Sequence, residues 1–553
     1  MWMGRESQGS DSGDTTFIGI DEKTPDPANM QPGYVRVANN VRMDNGGCGT
    51  RGGLFFPVVL NSVAFGTIYG RGTYVDGNGI RWTLMATPNG VWAVSDGQGP
   101  FFIPLPGSQT ISAECEMVQA YNTVILFLGP LLPPLVWDGT VGDGWTTPTA
   151  PGPGKLTIPN AVTAEFTSDR ILIPYGQDSV AFSDIGVYYQ YNNFSNQFNI
   201  NTGEDDFLVR IFPWMQSQVL FFKSHCIYLA QNVSGDLTQM ILNQVTPEVG
   251  LVGRHAAVQV GADLFFMDWA GVYRVSQIFQ ETPEAKAVPL SEPIKYTIQS
   301  INWNFAKGIC AAARRNRVYF AVPLGTSQRN NALLVYNLTN EAWESVDTFP
   351  SNTTFGIDDM ILSDYNGEHR IVCIDKKAGS LYVLEADGHT DLFGTSGTQE
   401  SQIYTRVLSR GYIGAGLRSN YRHVQVGINT WNPNYTINVY GSGEGNEYNL
   451  CTSKTRSNTT YYTFGKPPWN TTNVNNDWAS PGRQDYSVSD PAGTGIIGNG
   501  IIPNQKQEFQ ERYALRVPAR YAQVEVINTQ GALDIQSIAF ESWEDQRQDR
   551  GQN

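Results

Sequence analysis

The sequence predicts an all-β protein: a β-propeller-like domain, then a C-terminal β-sandwich, with an extended N-terminal arm in front. Three observations carry this. Windows with apolar residues at i, i+3, i+4 and i+7 for more than two turns are scarce. Short apolar or alternating runs bounded by Gly, Asn, Asp or Pro occur throughout. Between positions 55 and 392 these runs group into units of roughly forty residues, often closed by an aromatic-rich strand, which is the spacing of a four-stranded propeller blade. A stack of β-sandwiches would give a similar spacing.

Residues 1–54 read as the arm and lead-in. Residues 55–394 read as the propeller-like domain. There, 81–86 and 91–94 flank Pro88-Asn89-Gly90, and the Asn-Gly pair suits a tight hairpin whose central residues take positive φ. The same grammar recurs at 116–127, 170–174, 219–229, 263–275, 316–322 and 370–384. Residues 395–545 read as the sandwich, with alternation at 401–408, 421–429, 435–440, 512–517, 521–527 and 534–542. It carries one long loop insertion, 451–507, rich in Asn, Thr, Gly and Pro. Tyr461, Tyr462, Phe464, Trp469 and Trp478 argue for order there, at an interface. Residues 546–553 form a polar tail.

Composition excludes several functions. Lys plus Arg number 37 against 52 Asp plus Glu, so the formal charge of −15 lacks the basic face of a nucleic-acid reader. Hydrophobic content of 41% is enough for a large core and excludes global disorder. The first fourteen residues have no apolar core, so no secretory signal is expected and assembly in the cytoplasm is. The greasiest stretch, 124–137, is broken by Pro130, Pro133 and Pro134 and is too short to span a bilayer. Cys48, Cys115, Cys226, Cys310, Cys373 and Cys451 are spread evenly without a CxxC pair, which predicts unpaired, mostly buried thiols.

No catalytic, cofactor-binding or metal-binding constellation emerges. His225, His255, His369, His389 and His423 show no metal-ligand spacing, and there is neither a G-x-S-x-G elbow nor a P-loop. His225, beside Cys226, is expected in a core or turn role. Ser234-Gly235-Asp236 begins like a sialidase-type box, but the Gly and Trp that would follow are missing. The Asp76-Gly77-Asn78-Gly79, 138–144 and Asp364-Tyr365-Asn366-Gly367 loops are calcium-like, yet lack the spaced Glu of an EF-hand and read as β-turns.

Three stretches resemble virion tail proteins of short-tailed bacteriophages. The first is Gly19-Ile20-Asp21, Met30-Gln31-Pro32-Gly33-Tyr34, Ala38-Asn39-Asn40-Val41-Arg42 and Thr50-Arg51-Gly52-Gly53. The second runs from Ile211-Phe212-Pro213-Trp214 through Thr246-Pro247-Glu248-Val249-Gly250 to Gly271-Val272-Tyr273. The third is 316–323, 331–337 and Ala342-Trp343-Glu344. The resemblance covers most of the chain outside 451–507 and implies a tail nozzle, also called a tail tubular protein. Such a protein is a non-enzymatic structural subunit of the virion that forms a ring, with six copies expected, through which genomic double-stranded DNA is ejected without sequence-specific binding. It implies neighbours on the adaptor and portal side, and tail fibres or spikes. The negative charge suits a conduit that must not hold DNA. Two other classes stay open: a receptor-binding or fibre-attachment tail protein, and a propeller glycosidase acting on host surface polysaccharide.

Overall fold

The computed structural model describes residues 10–192, 197–201, 206–276, 288–350, 355–386, 388–393, 399–414, 419–443, 447–456 and 507–544. Calls on 457–506, including the five aromatic residues of the insertion, and on the tail 546–553 fall outside these residues.

The fold is all-β and propeller-like. Among the described residues, seven blades follow one another around a ring. Blade 1 is Gly70–Val75, Arg81–Thr87, Gly90–Ser95 and Gln98–Pro104. Blade 2 is Cys115–Ala120, Thr123–Phe127 and Leu135–Trp137. Blade 3 is built on Glu165–Thr167, Arg170–Tyr175, Ser179–Asp184 and Val187–Asn192. Blade 4 is Leu208–Pro213, Gln218–Lys223, Ile227–Gln231 and Ile241–Thr246. Blade 5 is Ala257–Val260, Asp263–Asp268 and Gly271–Ser276. Blade 6 is Cys310–Arg314, Arg317–Val322, Ala332–Asn337 and Ala342–Thr348. Blade 7 is Asp359–Tyr365, Glu368–Asp375 and Ser380–Ala386. It is completed by Gly53–Phe55 from the other end of the chain, antiparallel to Ser380–Ala386. The expected boundary at 54/55 therefore lies inside the strand that closes the ring.

Alternation explains the blades. In Arg317–Val322, Val318, Phe320 and Val322 face the core shared with blades 4 and 5, while Tyr319 and Ala321 face blade 7. In Glu368–Asp375, Ile371 and Cys373 face blade 6, while Val372 and Ile374 face blade 1. A sheet buried on both faces reads as an apolar run, and each fully buried aliphatic side chain contributes roughly 1.5–3 kcal/mol. The inner strands of blades 1 and 2 run parallel, pairing Gly70 with Cys115 and Arg71 with Glu116. A Cβ on Gly70 would strike the Cys115 carbonyl, so this approach requires glycine.

The C-terminal sheet is organised on two strands of 24 residues each, Ser419–Ser442 and Tyr521–Glu544, antiparallel along their length. Gln507–Pro518 and Asn449–Arg456 share the other edge of Ser419–Ser442. Arg456 pairs with Tyr435 and Gln507 with Thr430, so the expected insertion leaves and re-enters at neighbouring points on one edge. The segment read as an arm is extended but built in. Ser10–Asp14 and Cys48–Thr50 pair with Tyr521–Glu544, and Tyr34–Asn39 bridges Thr405–Ser409 to blade 6. Its apolar residues Phe17, Ile20, Val35, Val41 and Met43 join one core with blades 4 to 6 and the C-terminal sheet.

Candidate functional site

Two buried charged centres stand out. One is the junction between propeller and C-terminal sheet, and it uses the residues that carried the family resemblance. Arg42 donates to both Asp347 oxygens at 3.0 and 2.6 Å and pairs with Glu385. Arg51 donates to both Asp391 oxygens at 2.8 and 2.6 Å and, through Nε, to Asn40 Oδ1 at 2.9 Å. Asn40 sits at φ 57°, a left-handed position Asn tolerates, and its amide nitrogen donates to the Tyr404 carbonyl at 2.7 Å. Glu344 accepts from Arg317, from Asn337 at 2.8 Å and from the Met43 amide at 3.3 Å. Glu344, Asp347 and Arg51 are fully buried, and burial of Arg42, which would lower its pKa, is outweighed by Asp347 and Glu385. Among the described residues, no side-chain atom of Arg42, Arg51, Arg317, Glu344, Asp347 or Asp391 is buried without a hydrogen bond. Such bidentate pairs hold elements in one geometry.

The second centre is the propeller axis. The connections entering the inner strands bring Arg71 (blade 1), Glu116 (blade 2), Glu165 (blade 3), Arg210 (blade 4), His255 (before blade 5) and Asp359 (blade 7) to one level. Arg210 reaches Glu116 at 3.2 Å and Glu165 at 3.9 Å. His255 lies 3.7 Å from Glu116 and 2.8 Å from Asp359, and Arg71 lies 2.9 Å from Asp359. Lys376 lies 3.4 Å from Asp359. Blade 6 joins through its backbone, the Ala311 amide donating to the His255 carbonyl at 2.7 Å. Blade 4 touching blade 2, and His255 touching both blade 2 and blade 7, means the contacts run across the axis and fill it at this level.

The axial carboxylates are set apart electrostatically. Burial pushes Glu165 up to about 7, opposed by Arg210 and reinforced by Glu116. For Glu116, burial is outweighed by Arg210 and His255, and its pKa falls below the usual carboxylate range. Asp359 is likewise held well below that range, burial being outweighed by Arg71, His255 and Lys376. Arg71 Nε, Glu116 Oε2, Arg210 Nε and Asp359 Oδ2 are buried in ion-pair contact or near it, yet outside hydrogen-bond geometry. Beside this layer opens a cleft of about 440 Å³ lined by Glu114, Phe305, Arg329, Asp358, Lys376 and Lys377. Lys376 connects the two, with Glu114 at 3.8 Å on the cleft side.

None of these axial residues was singled out from the sequence except His255, which was read without a ligand role. Four are a single polar residue near the start of an ordinary strand, Gly70-Arg71-Gly72, Cys115-Glu116-Met117, Ala164-Glu165-Phe166 and Val209-Arg210-Ile211, and Asp359 follows Asp358 at the start of a fifth. Superposing the blade repeats on their inner strands was the signal that would have stacked them. Other expected features sit in turns. Asp76 accepts from the Asn78 and Ile80 amides, both at 2.9 Å, and Asp236 from Thr238 at 3.0 Å. His225 lies in the hairpin of blade 4, with its side chain 64% exposed. None of the six cysteines is in a disulfide; five are buried and Cys451 is exposed.

No family model matches the chain, and no curated protein matches it. Solved structures with similarity include a computationally designed protein, Ika8, at 10% identity, covering 67% of this chain and 100% of its own, TM-score 0.35. Virginiamycin B lyase from Staphylococcus aureus is 12% identical, covering 60% and 98%, TM-score 0.32. Saccharomyces cerevisiae Sqt1 is 8% identical, covering 61% and 99%, TM-score 0.35.

Proposed function

We propose that this chain is a structural subunit of a short phage tail, a nozzle protein that assembles into a ring of six through which genomic DNA is ejected, and that it is not an enzyme. The observation that carries the reading is where the resemblance-bearing residues lie. Asn40, Arg42, Arg51 and Glu344 lock the N-terminal lead-in to the propeller, and the lead-in strands pair with the C-terminal sheet, so what the motifs encode is a two-part building block. The filled propeller axis supports the same reading from another side, because a passage for DNA would have to run between copies. The formal charge of −15 per chain favours a lumen that repels phosphate within about 8–10 Å. Expected partners are further copies of the chain, adaptor or portal-side proteins, and fibres or spikes.

Native mass spectrometry of the purified chain and electron cryo-microscopy of the particle test this. Six-fold rings of this chain around a central passage are the expected result. A trimer mounted at the tip of a fibre, or turnover of a surface polysaccharide abolished by one carboxylate substitution, would overturn it.

A further inference from the structure

The C-terminal sheet ends on two unlike edges. Where Ser10–Asp14 joins it, its rows run through four strands. Ser12, Phe540, Val424 and Tyr513 are successive partners, and so are Asp14, Ile538, Val426 and Glu511. Among the described residues, no strand pairs with the outer side of Ser10–Asp14 at one end of these rows, or of Gln507–Pro518 at the other. Natural edge strands are kept short, or are blunted by Lys, Pro or bulges. Gln507–Pro518 has 12 residues, no Lys, and Pro only at its last position. Its register is unbroken from Gln507 on Thr430 to Ala514 on His423. A backbone edge of that length is a template for another strand. Ser10–Asp14 is held in place by Asp14, which accepts from Arg410 at 2.9 Å and from the Tyr412 hydroxyl at 2.8 Å. Next to this anchor Gly13 is exposed, although it pairs with Ala539.

We propose that these two edges pair with each other between copies of the chain, so that Ser10–Asp14 of one copy extends the sheet of the next beside its Gln507–Pro518. Strand direction fits this. Each strand in the row of four is antiparallel to its neighbour, so the first and the fourth are antiparallel too. A second copy placed by rotation therefore offers an antiparallel partner, and the main-chain donors and acceptors of both edges are satisfied at once. Within one chain two strands hold these edges apart, so the partner has to be another copy. Charge favours the same pairing. Beyond the anchored Asp14, Ser10–Asp14 carries Asp11 and no cation. The opposite edge is net positive in a chain of formal charge −15, with Lys454, Arg456, Arg512 and Arg516 against Glu508 and Glu511. Because the paired edges are unlike, the contact is head-to-tail, which rotation closes into a ring instead of ending at a dimer. The inference rests on the ring of the proposed function and names the surfaces that close it.

The test uses the full chain carrying Cys451→Ser, which removes the exposed thiol. Asp11→Cys is combined in turn with Glu508→Cys, Gln510→Cys, Arg512→Cys and Ala514→Cys. By register these positions share the face of His423, Gln425 and Ala539, which are half-buried, and not the face that Val424, Val426, Ile538 and Phe540 pack into the core. The assembled protein is oxidised and run unreduced in denaturant. At least one combination should give a ladder of covalent multimers ending at six copies. Each single variant alone should stay uncrosslinked, and the two single variants of that combination, mixed before assembly, should give crosslinked dimers and nothing larger. The proposal is overturned if six-fold rings form and no combination crosslinks, if a single variant crosslinks to itself, or if the new bond lies within one chain. Those outcomes leave the ring itself standing. A chain that forms no ring overturns the ring reading and this inference together.

Discussion

The junction and the axis are built from the same kinds of side chain, arginines and carboxylates, and do opposite things. At the junction every guanidinium meets carboxylates edge-on: Arg42 on Asp347, Arg51 on Asp391, Arg317 on Glu344. All are buried, and each remaining polar edge finds a backbone or amide partner, as the Leu54 amide does on Asp391 at 2.8 Å. At the axis one guanidinium, Arg210, is shared between Glu116 and Glu165, and four polar atoms stay outside hydrogen-bond geometry. Removing charges from water costs several kcal/mol each, repaid only where geometry is good. The junction therefore has one arrangement, while the axis has a carboxyl that can take or lose a proton. Fully satisfied buried charge makes a scaffold; under-satisfied charge beside a cleft makes a place that responds.

The strongest way to break this contrast is Arg51→Ala. It leaves Asp391 without its cation in a dry site, and a loss of about 3–5 kcal/mol is expected, enough to abolish soluble expression at elevated temperature. Adding Asp391→Asn should recover part of the loss. Urea unfolding of the single and double variants measures both. A single variant within about 1 kcal/mol of the parent would mean the junction is no more demanding than a surface pair.

A smaller effect is expected at the axis, and it depends on pH. The Glu165 pKa is raised from 4.5 to about 7, so between these values the folded chain keeps a proton that the unfolded chain has lost. The stabilisation is complete below pH 4.5 and is lost as pH rises through 7, by up to about 3 kcal/mol. Unfolding midpoints measured from about pH 5 to about pH 8 should fall for the parent and stay flatter for Glu165→Gln. Parallel profiles would sink the axial assignment and leave the junction untouched.

The smallest effect is kinetic. Burial raises the Cys48 thiol beside the junction and pushes Cys115 beside the axis up to about 12. In native buffer only Cys451 should be alkylated quickly. As urea is added below the unfolding midpoint, Cys115 should be labelled before Cys48, because the axis opens first. Peptide mass spectrometry of pulsed samples reads the order, and Cys48 reacting first would reverse the comparison.

Much of the fold was legible because strand burial is written locally. The run Val318-Tyr319-Phe320-Ala321-Val322 is apolar in both phases, which only a strand buried on two faces requires. Asn89-Gly90 marks a hairpin by its own backbone preference. The blade repeat follows from such local signals, although it is nearer fifty residues than forty: the inner strands begin at Gly70, Cys115, Glu165, Leu208, Ala257, Cys310 and Asp359. What the sequence alone determined, then, is strand content and blade texture. Tertiary structure decided the rest. Gly53–Phe55 completes a blade whose other strands lie over three hundred residues away, because an open ring would leave that blade's edge unpaired. The early strands are consumed by the C-terminal sheet for the same reason. Arg71, Glu116, Glu165, Arg210, His255 and Asp359 carry no shared local signal. Each looks like an ordinary solvated polar residue until ring closure brings five strand starts and His255, just before a sixth, within ion-pair distance, where the low dielectric turns ordinary side chains into one coupled centre.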